Sequence, residues 1–165
     1  MPEQVVIDGL EFARSGKSLS GKLRSGKLER LQDSLASGEG ELEFILRGGQ
    51  NPNGRPMLHL AVKGMLQLRC QRCLGPLAHP VDIASDLLLL RDESEFADLM
   101  DDEDDSADGI LAAAKMDVAA MVEDEVILSL PYAPRHPVGE CGAGGAQEAG
   151  STKPLPFSAL ARLKK

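Results

Sequence analysis

The chain has 165 residues and a mass of 17.6 kDa, one domain's worth, and it carries a net charge of −8. Leu, Ile, Val and Phe make up about a quarter of it, enough for a modest core, and with no Trp and one Tyr that core must be aliphatic. The longest aliphatic run, Leu87 to Leu90, is far too short to cross a bilayer, no apolar leader opens the chain, and an odd count of three cysteines argues against a disulfide framework, so a cytoplasmic protein with reduced thiols is expected.

A short strand is expected over residues 4–12 and a second over 18–24, where Leu19, Gly21 and Leu23 alternate with polar residues. Ser25 is placed to cap a helix over 27–36, with Leu28, Leu31 and Leu35 on one face and the stretch Ser37-Gly38-Glu39-Gly40 to end it. A strand over 41–47 turns Leu42, Phe44 and Leu46 inward, and Asn51-Pro52-Asn53-Gly54 spells a turn. The clearest periodicity follows. Leu58, Leu60, Val62, Leu66 and Leu68 fall on one parity and His59, Lys63, Gln67 and Arg69 on the other, a strand pattern that a helix would scatter. Gly64, on the apolar parity, reads as a bulge or bend. Val81, Ile83, Leu87 and Leu89 suggest a return strand, so 57–69 and 78–90 form a long antiparallel hairpin turned by Cys70-Gln71-Arg72-Cys73-Leu74-Gly75-Pro76. Asp117 caps a helix running to Leu130, with Val118, Met121, Val122 and Leu128 as its apolar face, and Glu123, Asp124 and Glu125 toward water. Pro131 and Pro134 close it. Residues 137–151 contain five Gly and read as a linker, and Phe157, Leu160 and Leu163 mark a short last helix within 152–165. The expected architecture is α+β: a domain over 1–136 with an antiparallel sheet of about five strands, at most curled into an open barrel, two or three helices and a disordered acidic loop over 91–108.

The net charge conceals a segregation. Residues 91–108 hold ten acids against Arg91 alone, a net of −9. Residues 14–30 carry Arg14, Lys17, Lys22, Arg24, Lys27 and Arg30 against Glu29, a net of +5. A like-charge run is either a solvated loop or a contact for a basic partner, which here would engage Asp101, Asp102, Glu103, Asp104 and Asp105. The basic stretch is either a solvated face or a phosphate contact through Lys17, Lys22, Arg24 and Lys27. It contains no aromatic residue on which a base could stack.

Few motifs carry chemistry. Gly16-Lys17-Ser18 lacks the earlier glycine of a phosphate-binding loop at the required spacing. No nucleophile–histidine arrangement or dinucleotide fingerprint is present, so no catalytic residue is assigned and an enzyme is not expected. Cys70 and Cys73 are the one pair with chemical content. Two thiolates at that spacing on a tight turn can hold zinc, and Cys141 with His136 (or His79) would complete a three-cysteine, one-histidine set. A redox pair would need a strand–helix junction that a hairpin does not supply. The plainer reading, two small residues stiffening a hairpin end, is preferred on sequence alone. No cofactor is therefore required, with zinc the one candidate.

Three segments together resemble one family. They are Cys70-Gln71-Arg72-Cys73-Leu74-Gly75-Pro76, the stretch from Met121 through Val122-Glu123-Asp124-Glu125-Val126-Ile127-Leu128-Ser129-Leu130 to Pro131, and Pro156-Phe157-Ser158-Ala159-Leu160-Ala161-Arg162-Leu163-Lys164-Lys165. Their order and spacing are similar to the YceD family, the large ribosomal RNA subunit accumulation proteins. The resemblance implies a non-catalytic role in the synthesis, processing or stability of 23S rRNA. The partner it implies is a ribosomal protein or the large-subunit rRNA precursor, with no membrane and no small-molecule substrate. Family genes often neighbour one for a small zinc-ribbon-type ribosomal protein. Many relatives carry a second cysteine pair after the Leu-Pro helix. This chain departs from that pattern, offering His136 and Cys141 instead. The competing function is a zinc-binding module or metal carrier built on Cys70 and Cys73.

Overall fold

The computed structural model describes residues 5–101 and 107–142. Its centre is a five-stranded sheet of β2 (Ser18–Arg24), β3 (Glu41–Gln50), β4 (Pro56–Arg69), β5 (Pro76–Leu90) and β6 (Asp108–Leu111), in that spatial order. The first four pair antiparallel, but β6 runs parallel to β5, with Leu87 opposite Asp108 and Leu90 opposite Leu111. The sheet is thus mixed rather than antiparallel throughout, and among the described residues it does not close into a barrel. A second, two-stranded sheet pairs β1 (Val6–Ile7) with β7 (Met116–Asp117). The described helices are α1 (Gly9–Arg14), α2 (Glu95–Asp101) and α3 (Val118–Ser129).

The alternating leucines set the sheet's inner face. Leu42, Leu46, Leu58, Leu60, Val62, Leu66 and Leu68 are fully buried there, under α1, α3 and the segment between β2 and β3. The outer face is a ladder of alternating charge. Lys22, Glu43, Lys63 and Asp82 lie in one row across four strands, and His59 stands opposite Asp86 with Nδ1 and Oδ1 2.5 Å apart. Gly64 makes no bulge. The register runs unbroken through it, and a Cβ there would come within 2.2 Å of the Glu41 carbonyl oxygen, so the glycine serves close strand approach.

Four other expectations are corrected. Asp8 caps α1, its carboxylate accepting from Glu11 N–H at 3.0 Å, so residues 9–12 of the expected first strand are helix and only Val6–Ile7 pair as a strand. Residues 27–36 form no α-helix. Short 3₁₀ turns at Ser25–Lys27 and Gln32–Ser34 still bury Leu28, Leu31 and Leu35, and Ser25 caps nothing. Glu123, expected toward water, is buried: it accepts from Arg30 N–H at 2.7 Å and Leu31 N–H at 3.1 Å, standing in for the missing helical bonds. Glu125 is buried beside Ser85, whose hydroxyl donates to it at 2.5 Å, and Leu128 is exposed while Val126 takes its place in the core.

The acidic run is also not loop throughout. It carries α2 and ends in β6, because parallel strands need a crossover of a dozen or more residues. Leu99 and Ala107 pack on a small second core of Met57, Leu88 and Leu90, on the face of β5 opposite Leu87 and Leu89. Both faces of β5 are covered at that end, which accounts for four consecutive buried leucines.

Candidate metal site at the hairpin end

The β4–β5 connection is a tight turn. Cys70 N–H donates to the Gly75 carbonyl and Leu74 N–H to the Cys70 carbonyl, each at 2.9 Å. Leu74 adopts φ = 60°, the only non-glycine residue with positive φ among those described. The turn points its N–H groups at sulfur: Arg72 N–H donates to Cys70 Sγ at 3.4 Å. Backbone donors, that of Cys73 foremost, bring the Cys70 thiol down to about 5 against the opposing effect of desolvation.

Beyond α3 the chain runs back across this turn as an irregular strap. Gln71 N–H donates to the Pro134 carbonyl at 2.8 Å, which anchors the strap before His136. A second turn, with Glu140 N–H donating to the Pro137 carbonyl at 3.1 Å and Gly139 at φ = 89°, folds Cys141 back toward His136. As a result Cys70, Cys73, His136 and Cys141 converge, with one ligand atom from each lying within 4.8 Å of all the others. Cys70 Sγ is 3.9 Å from Cys141 Sγ, and His136 Nδ1 is 3.4 Å from Cys73 Sγ and 3.8 Å from Cys141 Sγ. Cys141 is held in the thiol form by burial and by its two neighbouring sulfurs. All three cysteines are free of disulfides. His79, the alternative fourth ligand, lies on β5 opposite Leu66 and is not part of the cluster.

The charged candidates fare differently. Lys17 pairs with Glu11 at 3.4 Å. Lys22 lies between Glu43 at 2.6 Å and Glu41 at 2.9 Å, and these carboxylates, Glu43 first, push its ammonium above the ordinary lysine range. Arg24 and Lys27 are exposed, and Arg30 is engaged by Asp124 and Glu123. Asp101 is the last residue of α2, whereas Asp102, Glu103, Asp104 and Asp105 lie outside the described residues, as do the linker beyond 142 and the expected C-terminal helix.

The model of the family described as large ribosomal RNA subunit accumulation protein YceD matches residues 58–164, which span the hairpin, the crossover, α3 and the strap. The chain belongs to the YceD family. A YceD-family relative from Haemophilus influenzae, named large ribosomal RNA subunit accumulation protein YceD, is 26% identical over 97% of this chain and 95% of its own length. No solved structure matches. No helix among the described residues is long and apolar enough to cross a membrane.

Two features were beyond the sequence pattern. The role of Glu123 as an acceptor for backbone donors had no local signal. The Pro76 carbonyl, 3.0 Å from His136 Nε2, was equally invisible. The His136–Cys141 spacing was legible, but not that the strap would carry it to the hairpin.

Proposed function

We propose that the chain is a non-enzymatic factor in accumulation of the large ribosomal RNA subunit, acting through a basic ribosomal protein of that subunit or its precursor. One observation supports this choice of partner above direct RNA binding. Three of the six cations of the basic stretch are matched by the chain's own carboxylates, through Lys17–Glu11, Lys22–Glu43 and Arg30–Asp124. Among the described residues, no acid of 91–108 has a cation in an ion pair, while Asp92, Glu93 and Asp98 are exposed. The outer sheet face alternates in charge and offers no field of one sign to a phosphate backbone. The acidic segment, tethered to the sheet by Leu99, is the stronger electrostatic handle.

The test is capture of large-subunit precursor components on the full chain across a salt series, identifying the bound protein and RNA. The Debye length falls from about 30 Å at 0.01 M to about 8 Å at 0.15 M, so binding should weaken steeply over that range. Serine at Asp101, Asp102, Glu103, Asp104 and Asp105 should remove most of this dependence, whereas alanine at Lys17, Lys22, Arg24 and Lys27 should leave it largely intact. The reverse ranking would favour rRNA contact, and a complex insensitive to salt and both variants would refute the electrostatic reading. The second reading, a zinc-binding module or metal carrier, draws support from the convergence of Cys70, Cys73, His136 and Cys141. Four protein donors around one point leave no open position for handing on an ion, which favours a resident metal over cargo.

A further inference from the structure

We infer that Cys70, Cys73, His136 and Cys141 form a closed, mononuclear structural zinc site that clamps the strap after α3 onto the β4–β5 hairpin. The geometry supports one tetrahedral ion. With Zn–S about 2.3 Å and Zn–N about 2.0–2.1 Å, a tetrahedron has sulfur–sulfur edges of about 3.8 Å and sulfur–nitrogen edges of about 3.6 Å. The corresponding separations here are 3.9 Å for Cys70–Cys141, 3.4 Å for Cys73–His136 and 3.8 Å for Cys141–His136. A disulfide would bring two sulfurs to about 2.05 Å, and a multi-iron cluster would hold its cysteines farther apart than these donors stand. Three sulfurs and one imidazole nitrogen in a tetrahedron are a zinc donor set.

The surroundings fit the same ion. His136 Nε2–H donates to the Pro76 carbonyl at 3.0 Å, which fixes the tautomer that leaves the Nδ1 lone pair facing the sulfurs. Arg72 N–H is aimed at Cys70 Sγ, an arrangement that stabilises a coordinated thiolate. Leu74 is held in the left-handed region, which L residues disfavour, to let the turn close around Cys70 and Cys73. Without a metal, three thiols and an imidazole gathered from segments some sixty residues apart would give the turn and the strap little to hold them together. With it, the binding free energy is folding free energy for residues 130–142.

The full chain, purified under reducing conditions without chelator, should contain one zinc per chain by elemental analysis. Cobalt added to the chelator-stripped protein should give the intense visible bands of a tetrahedral site together with sulfur-to-cobalt charge transfer. Cys141→Ser should lower zinc affinity by more than about 100-fold, beyond the range for loss of an outer-shell partner. His136→Cys should keep the metal and strengthen the charge-transfer bands, which guards against a variant that merely fails to fold. Zinc removal should speed amide exchange in 131–142 while leaving β3 and β4 protected. Purified protein with less than about 0.2 zinc per chain and freely titratable thiols, a Cys70–Cys141 disulfide, a different stoichiometric metal, or an octahedral cobalt spectrum would each overturn the assignment.

Discussion

Replacing Glu123 by alanine tests how the irregular segment between β2 and β3 is held. The carboxylate accepts from Arg30 N–H at 2.7 Å, Leu31 N–H at 3.1 Å and Arg30 Nε at 3.1 Å, and the residue is only 6% exposed. Leu28, Leu31 and Leu35 are buried from a backbone with few regular hydrogen bonds of its own, so these two amides depend on a side chain from α3. A buried donor left without an acceptor costs about 1–3 kcal/mol, so two such donors give about 4 kcal/mol as a central value. At about 2–4 °C per kcal/mol for a chain of this size, the melting temperature should fall by about 8–16 °C. Glu123→Gln can keep the one oxygen that both amides share, losing only the acceptor for Arg30 Nε, and should cost less than the alanine. Asp124→Ala removes only the exposed pair with Arg30 and should change stability by no more than about 1 kcal/mol. Urea denaturation followed by far-ultraviolet circular dichroism, at low and high salt, measures all three. If Glu123→Ala costs under 1 kcal/mol, or no more than Asp124→Ala, the backbone of residues 30 and 31 does not rely on that carboxylate and the reasoning fails.

The remaining predictions concern packing and charge. Gly64→Ala drives a Cβ toward the Glu41 carbonyl oxygen and the Leu42 side chain and should cost about 1–3 kcal/mol by denaturant titration; an unchanged midpoint would contradict the close approach of β3 and β4. Leu88→Ala empties part of the small core under α2 and should cost about 2–5 kcal/mol while speeding amide exchange in α2 more than in α3. Serine at Asp101, Asp102, Glu103, Asp104 and Asp105 should leave the melting temperature unchanged or raise it. The like-charged run repels itself, so a marked loss of stability would show that the acids are bound into the fold.

Elements with a local signature were legible before any coordinates. The leucine parity of 58–68 specified which face of β4 is buried, since a one-residue slip would expose all of it. Asp117 specified the start of α3, accepting from Ala119 N–H at 2.9 Å. The donor chemistry of Cys70, Cys73, His136 and Cys141 could be read from residue types and spacing. Their gathering could not, because it depends on a strap running back from α3 to a turn some sixty residues earlier in the chain.

What tertiary structure alone decided shares one physical cause: hydrogen bonds and burial supplied from a distance. Residues 27–36 have the leucine spacing of a helix, yet Glu123 satisfies the amides of Arg30 and Leu31 from another element and the leucines are buried without one. The acidic run has the composition of a loop, yet Leu88 and Leu90 present an apolar face that only a crossover can cover, so Leu99 is drawn onto it and β6 pairs parallel to β5. Glu123 itself has the charge of a surface residue and lies in the interior because two backbone donors and a guanidinium meet it there. Sequence by itself determined the strand periodicities, the Asp117 cap and the residue types available at the hairpin end. Long-range pairing decided which of those tendencies prevailed, because a buried polar group or an uncovered leucine costs more than the local propensity it overrides.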